Sequence, residues 1–329
     1  MPWILEPFET AFFARALLGG VLAATICAIA GAWVVARGMA FLGEALGHGM
    51  LPGVAIATLV GASPIAGAAV SAALMGVGIG WLTRRSRLQH DTAIGIAFVG
   101  MLATGVIVVS HSGSFATDVT AMLFGDVLAI RTPELVALGV GLFATAIVAR
   151  LLHRPLTALA FDERVATTLG MRPRLARVGL SALVIVAVVA SYQAVGTLLV
   201  VALLVAPPAA AALWARSIGA TMAGGAGIGA AAVVAGLLAS WHLATAAGAS
   251  IAVAAVLLFT VSAVAHAIAT RSRSDADASA APASAASAPA PAPAPAPTGG
   301  RPVGDRRVVA DGRTVVTDGS HPRPVDRHS

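Results

Sequence analysis

MAFLGEALGHGMLPGVAIA (Met39–Ala57) places two ionisable side chains in an otherwise apolar, glycine-rich run. Glu44 and His48 are four residues apart, about one helical turn, so on a helix both side chains leave the same face. Ionisable groups inside a bilayer are costly and usually face a bundle interior or an aqueous path. The stretch therefore predicts a membrane helix that carries a polar site for a small cation.

Small residues and a proline accompany this pair. Gly43 and Gly47 form a G-x-x-x-G step, which allows a neighbouring helix to approach closely. Pro52 removes one backbone donor and predicts a kink. A purely structural interpretation stays open, because histidines in membrane helices are often only hydrogen-bonded to a neighbouring helix. No second histidine stands at the His-Glu-x-x-His spacing, so hydrolytic metal chemistry has no support.

The composition is that of a membrane protein. Of 329 residues, 58% are hydrophobic and 11% charged, and the mean hydropathy is +0.88. A soluble domain of this length carries far more charge. The 21 basic residues are all arginine, so the chain has no lysine for a Walker A loop or a Schiff base. If ATP drives the protein, another chain must bind it.

Apolar runs of membrane length recur along residues 1–270, which predicts an all-α, polytopic transmembrane helix bundle. Eight spans put the amino terminus inside and nine put it outside, and the short hairpin before residue 195 leaves both counts open. The arginine distribution assigns the carboxyl terminus to the cytoplasm and explains the net charge of +6 without nucleic-acid binding. The nine predicted spans are 11–36, 40–60, 62–83, 91–111, 133–152, 177–194, 195–214, 219–241 and 247–269.

The composition changes after about residue 270. Residues 271–329 are rich in alanine, proline and serine and have no apolar period. This pattern is typical of an extended, disordered linker, so the tail is predicted to be a disordered cytoplasmic segment.

Residues 112–132 do not form a clean span. Asp118, Met122 and Asp126 are spaced by four and would form one stripe on a helix at the outer side. Carboxylate and thioether groups there would guide a divalent ion into the pore. The alternative is an interfacial helix with solvated aspartates and a packing methionine.

A polar loop between the fifth and sixth spans contains AFDERVATTLGMRP. Asp162 is placed as an N-cap and Gly170 as the residue that ends the helix. A short capped helix of this kind suits docking into a partner's groove, although it could also lie on lipid headgroups. The residues predicted to contact the partner are Phe161, Asp162, Glu163, Val165, Leu169 and Gly170.

Pro207 and Pro208 stand deep in the apolar run VGTLLVVALLVAPPAAAALWAR. A break there frees backbone carbonyls, which is tolerated only where protein or a water-filled cavity meets them. The pair is therefore predicted to line the pore or flex with it, with a simple packing kink as the alternative.

Four blocks of the chain resemble the permease subunits of the metal-ion ABC importers, the zinc, manganese and iron group served by cluster A-I binding proteins. They appear in the order expected for that family over roughly residues 5–270. The RGMAFLGEALGHGMLPG form is most similar to the zinc-import branch. The blocks are MAFLGEALGHGMLPGVAIA, DTAIGIAFVGMLATGVIVVS, LFGDVL, and FDERVATTLGM with VGTLLVVALLVAPPAAAALW.

This resemblance implies a type II ABC importer permease in a bacterial cytoplasmic membrane. It implies a homodimer with two ATPase subunits and an extracytoplasmic metal-binding protein. It also implies that Phe161–Gly170 is the coupling helix seated on the ATPase, and that Glu44 and His48 stand where the family has its acidic and histidine pair. Many relatives have aspartate where this chain has Glu44.

The sequence therefore predicts a non-enzymatic permease that passes a divalent metal ion, zinc first and manganese or iron next, and binds no cofactor tightly. Imidazole and carboxylate suit all three metals, so ligand type does not choose among them. The alternative is an ATP-independent secondary carrier or channel that uses Glu44 and His48 as a proton relay. A secondary carrier has no need of the predicted docking helix.

Overall fold

The computed structural model describes residues 6–85, 89–110, 125–161 and 173–280. Within these ranges the chain is α-helical apart from two short 3-10 turns and the connections, and contains no strand. The α-helices are α1 (Ala11–Ala36), α2 (Ala40–Gly49), α3 (Leu51–Leu59), α4 (Pro64–Arg85), α5 (His90–Ser110), α6 (Thr132–Phe161), α7 (Pro173–Val195), α8 (Thr197–Ala212), α9 (Ile218–Leu243) and α10 (Ala247–Ala280).

Eight helical segments in the described residues are long and apolar enough to cross a membrane. Helices α2 and α3 together make one of them, Ala40–Leu59. Helix α8 is apolar but has only 16 residues. The predicted all-α, multi-pass architecture is thus confirmed, and the uncertainty between eight and nine spans comes down to α8.

Helix α8 runs alongside α1 in the same direction. The Cys27 sulfur lies 3.7 Å from the Val200 carbonyl oxygen, and one turn further along both helices Gly31 packs on Leu204. At about 1.5 Å per residue, α8 is about 24 Å long, close to the ~30 Å hydrocarbon thickness. Its length and direction are those of a ninth crossing that starts at the same side as α1.

Helix α1 forms the centre of the bundle. It packs against α6, α7, α8 and α9, and 14 of its 26 residues are buried. Its alanines and glycines let these neighbours approach: a Cβ at Gly20 would overlap Val233 of α9, and Ala24 meets Gly229 of the same helix. Close backbone approach through small residues is how membrane helices associate without a hydrophobic driving force.

The described arginines gather at one end of this bundle. If every helical segment crosses, with α2 and α3 counted as one, the directions alternate and all but two of these arginines fall at the end where α1 finishes. The positive-inside rule assigns that end to the cytoplasm. Those arginines are Arg37, Arg84, Arg85, Arg150, Arg154, Arg174, Arg177, Arg216, Arg271 and Arg273, whereas Arg15 and Arg131 lie at the other end.

Two helices extend past the boundaries that hydropathy predicts. Helix α6 continues to Phe161 instead of ending near residue 152, and fully buried Leu156 anchors the extension. Helix α10 continues to Ala280, so the start of the predicted tail, residues 271–280, is helical. The rest of the tail, 281–329, lies outside the described residues and its disorder stays a prediction.

Pro207 and Pro208 do not interrupt α8, contrary to the predicted break. Both are buried, and the helix continues through them to Ala212. Glycines on the two adjacent helices make room for the rings: Gly31 of α1 meets Pro208, and Gly225 and Gly229 of α9 meet Pro208 and Pro207. In the described structure the pair therefore packs inside the protomer, and its predicted place along a pore stays untested.

A candidate metal path at a broken helix

The segment that carries Glu44 and His48 is divided at Met50. Helix α2 ends at Gly49 and α3 begins at Leu51, with Pro52 in its first turn. Pro52 is accommodated by Gly105 of α5, where an added Cβ would lie 3.3 Å from the proline Cδ. The division thus falls two residues before the proline, whose ring fits a glycine-lined position on the next helix.

The end of α2 is held by a hydrogen bond from another helix. The Ser71 hydroxyl of α4 donates to the Gly49 carbonyl at 2.7 Å, and Ser71 is only 4% exposed. An unpaired carbonyl in a membrane interior costs free energy, so this donor stabilises the helix end. Gly49 immediately follows His48, and the bond therefore also fixes the turn on which the imidazole stands.

His48 has a defined orientation and tautomer. Its Nδ1 lies 3.1 Å from the Glu44 carbonyl oxygen, and its ring packs edge-to-face on Phe98 of α5 with centroids 5.7 Å apart. A carbonyl only accepts, so Nδ1 carries the hydrogen and donates. In the neutral imidazole Nε2 then holds the lone pair that a metal ion needs. The Nε2 lone pair of the half-buried ring is thus available to a metal ion, and the ligand role of His48 stays a prediction.

Glu44 is exposed on the surface of the protomer at membrane depth. At 1.5 Å per residue it lies about 6 Å along the span from Ala40, and His48 about 12 Å, within a hydrocarbon layer of ~30 Å. The carboxylate is exposed and the imidazole is half-buried one turn further along. Both groups therefore lie on one outward-facing strip of α2. Phe41, 39% exposed, continues this strip toward the cytoplasmic end.

The two glycines beside this pair face inward. A Cβ at Gly43 would overlap the Leu204 side chain of α8, and one at Gly47 would lie 3.6 Å from Val201 Cγ2. Gly43 and Gly47 therefore bring α2 against α8, and the G-x-x-x-G face lies about a quarter turn around the helix from the face of Glu44 and His48. Helix α2 is packed on the centre of the bundle through small residues and presents its donors outward.

The chain brings two candidate metal donors together here. Among the described residues, no group of three or more histidine, cysteine, aspartate or glutamate side chains is arranged to hold an ion. An imidazole and a carboxylate suit zinc, manganese and ferrous iron. A two-donor set completed by water or by another chain is weak enough to release its ion, unlike a closed structural site.

The outer stripe is only partly described. Asp118 and Met122 lie outside the described residues, and their role stays a prediction. Exposed Asp126 caps a short 3-10 turn, Val127–Ala129, and its carboxylate accepts from the Ala129 N–H at 3.2 Å. The carboxylate thus has a local structural task, which leaves its predicted part in guiding ions untested.

The predicted docking helix also falls outside the described residues. Phe161 is the last residue of α6, and the structure resumes at Pro173, the first residue of α7. The coupling role of Phe161 thus stays a prediction, and so do those of the other five residues, Asp162, Glu163, Val165, Leu169 and Gly170.

Two residues of the site were missed by sequence reasoning. Phe98 orients the His48 ring and Ser71 holds the end of α2. Pro52 indicated that a nearby backbone carbonyl would need a hydrogen-bond donor from another helix. The sequence around Pro52 does not indicate that this donor is Ser71. Phe98 carries no polar group, and an aromatic residue in an apolar run gives no sign of its partner.

The chain is similar to known membrane transport proteins over most of its length. The ABC 3 transport family model matches residues 9–266. Over 252 residues the chain is 35% identical to the manganese transport system membrane protein MntC of Halalkalibacterium halodurans, covering 76% of this chain and 86% of that protein. Over 264 residues it is 33% identical to the chelated iron transport system membrane protein YfeD of Yersinia pestis, covering 79% and 88%.

A solved structure shares the fold. PsaBC from Streptococcus pneumoniae in complex with Fab superposes with a TM-score of 0.71 at 31% identity, covering 79% of this chain and 94% of that one.

Proposed function

Because the chain belongs to the ABC 3 transport family, we propose that it passes a divalent transition-metal ion through the membrane along a path that includes Glu44 and His48. The chain is a multi-pass permease of the bacterial plasma membrane and is not itself an enzyme. ATP is hydrolysed in a separate subunit, as expected for a sequence without lysine.

The exposed position of Glu44 carries this proposal. A carboxylate directed into acyl chains at this depth would be costly, and such groups normally face protein or water. The outward strip of α2 is therefore covered by another protein surface or by an aqueous path. A second copy of the chain is the simplest cover, because it would bring two Glu44–His48 pairs together across a two-fold axis.

Four donors from two copies would suit a transport site. Each copy contributes one Nε2 lone pair and one carboxylate, and the Nδ1 hydrogen bond to the Glu44 carbonyl keeps each imidazole in the ligand tautomer. Water completes the coordination of a larger ion such as manganese. The site opens as the two copies move, so that the ion is released.

We propose manganese or ferrous iron as the cargo ahead of zinc. The sequence-based preference for zinc is not supported by the two relatives, which are named for manganese and for chelated iron. The carboxylate favours manganese and iron, and the imidazole is accepted by all three metals. An uptake experiment in which the three metals compete would decide which of them is the cargo.

The proposed partners lie at the two ends of the bundle. An ATPase subunit would dock on the cytoplasmic segment between α6 and α7, and an extracytoplasmic metal-binding protein would deliver the ion at the other end. A movement of the ATPase would then be transmitted directly to α7, because α7 begins at Pro173, where that segment ends.

One experiment separates this function from an ATP-independent carrier. The chain is reconstituted in proteoliposomes with and without its ATPase, and uptake of radiolabelled manganese is measured with ATP or with a proton gradient alone. We expect uptake only with ATPase and ATP, reduced by excess unlabelled manganese or ferrous iron more than by zinc. Uptake driven by the proton gradient in the absence of ATPase would contradict the proposal.

A further inference from the structure

A groove lies between α4 and α7 on the surface of the chain. Its volume is about 360 Å³, and its lining is mostly apolar, with Thr83, Ser181 and two arginines as the polar members. It is open along one side, because the lining residues Val77 and Val178 are 67% and 65% exposed. An apolar groove that opens from a membrane helix bundle at this depth faces the acyl chains of the bilayer.

The groove exists because two glycines of α4 leave room beside α7. A Cβ at Gly80 would meet nothing within 4 Å, and one at Gly76 would meet only Ile185, at 3.2 Å. Both glycines line the groove. The gap is therefore a property of the sequence of α4, and a side chain at Gly80 would fill it without disturbing the backbone.

Two arginines close the cytoplasmic end of the groove. Arg84 comes from the last turn of α4 and Arg177 from the second turn of α7, and both belong to the lining. Guanidinium groups keep their positive charge at any physiological pH and match phosphate geometry. Both side chains place a positive charge at this end of the apolar groove, and the Arg84 Nε also donates to the Gly80 carbonyl at 3.0 Å.

The length of the groove matches one leaflet. From Ala73 to Arg84 the lining follows α4 for about 16 Å at 1.5 Å per residue, roughly half of the ~30 Å hydrocarbon layer. An acyl chain of the cytoplasmic leaflet would lie along this distance with its head group at the arginines. The groove thus has the length of one acyl chain and positive charge at the end where the head group would lie.

We propose that the groove between α4 and α7 binds a phospholipid with an anionic head group, with one acyl chain along Gly76 and Gly80 and the phosphate between Arg84 and Arg177. Basic pockets between membrane helices on the cytoplasmic side bind anionic lipids by this combination of charge and apolar burial. A zwitterionic lipid fills the apolar part but gains less from the two charges.

This site adjoins the segment proposed to contact the ATPase. Arg177 is about one turn past Pro173, the first residue of α7 after residues 162–172. A bound head group would stand beside the start of α7, where the ATPase would act on the permease. That consequence rests on the proposed function, whereas the lipid binding itself does not.

The test measures lipid binding to the full-length chain in detergent by native mass spectrometry. Phosphatidylglycerol and phosphatidylcholine with identical acyl chains are titrated separately. We expect tighter binding of phosphatidylglycerol, and Arg84→Gln should weaken it about five-fold, the factor that corresponds to one basic residue near an anionic lipid. Arg85→Gln is the matched control, because Arg85 is adjacent, exposed and outside the groove.

A second variant tests the apolar part. Gly80→Leu should reduce binding of both lipids, whereas Gly78→Leu should not, because Gly78 also has open space at its Cβ but does not line the groove. Three results would each overturn the proposal. The first is equal binding of the two lipids, and the second is an equal loss of binding with Arg84→Gln and Arg85→Gln. The third is a Gly80→Leu variant that changes the oligomeric state without changing lipid binding.

Discussion

The Leu204 carbonyl oxygen of α8 faces Gly31 of α1, so closely that a Cβ on Gly31 would overlap it. In a regular helix this carbonyl would accept from the N–H of residue 208, but residue 208 is a proline and has none. The glycine lets the carbonyl reach the α1 backbone, where a Cα–H contact gives it a weak partner. Gly31 and Pro208 are therefore complementary parts of one helix contact.

Gly31→Ala should destabilise the protein, because the methyl group would force α1 and α8 apart at their closest approach. Overpacking of this kind costs about 1–3 kcal/mol. The expected result is a lower midpoint of thermal unfolding in detergent. Gly227→Ala in α9 is the control, since its Cβ has open space and the change should be neutral or slightly stabilising. Equal midpoints for the two variants would contradict the role of Gly31.

Ser71→Ala should loosen the end of α2. It leaves the Gly49 carbonyl without the hydroxyl that lies 2.7 Å away, at a cost of about 1–3 kcal/mol for a buried acceptor. We expect lower thermal stability and faster hydrogen exchange near Met50. Thr104→Val removes an exposed hydroxyl that bonds only to its own helix, so it serves as the control. Unchanged exchange near Met50 in Ser71→Ala would argue against the contact.

His48→Ala should abolish ATP-driven metal uptake without releasing the ATPase. Loss of an outer-shell partner typically lowers metal affinity or activity at least ten-fold, and loss of a ligand should lower uptake by at least as much. Uptake in proteoliposomes and co-purification of the ATPase are the two measurements. His153→Ala is the matched control, because this exposed histidine of α6 packs on Trp33 away from the α2 strip. Wild-type uptake by His48→Ala would remove His48 from the path.

Substitutions at Glu44 should separate charge from size. Glu44→Gln keeps the shape but removes the anionic ligand, and uptake should fall by about ten-fold or more. Glu44→Asp keeps the charge on a shorter side chain and should retain most of the uptake. The uptake rate of both variants is measured at a saturating metal concentration. Similar rates for Gln and Asp would show that the charge at this position is not used.

Gly196→Ala should impair folding at the junction of α7 and α8. Gly196 has φ 78° and ψ 159°, a region essentially reserved for glycine, and its backbone lies against Gly125. The cost is about 1–3 kcal/mol for the backbone alone. Expression and the thermal midpoint are the measurements, and Gly219→Ala, a helical glycine with open space, is the control. A midpoint equal to that of the control would contradict this assignment.

The bundle itself could be predicted because hydropathy depends only on local sequence. Apolar runs located the crossing segments, and arginines ordered their ends. Hydropathy indicates where a segment leaves the membrane, whereas the end of a helix is set by capping and packing. The predicted spans therefore ended before α6 and α10 do. The pair Pro207–Pro208 was expected to break α8 because the sequence does not show that glycines of α1 and α9 receive the rings.

Within the site, the local relationship was predictable and the long-range ones were not. Spacing alone placed Glu44 and His48 on one face, and the structure has both on the outward strip of α2. The partners Ser71 and Phe98 come from other helices. In segments that are apolar all round, periodicity does not indicate which residues of two helices meet.

The interruption at Met50 gives the two halves of one span different neighbours. The half with the metal donors is fitted to α8 through Gly43, whereas the other half is fitted to α4, where Gly53 and Gly67 meet backbone to backbone. A rotation of α4 relative to the centre would therefore be absorbed at Met50, two residues from His48. The gate of such a permease would then bend beside the ion, next to the Ser71–Gly49 hydrogen bond that ties α4 to the half with the metal donors.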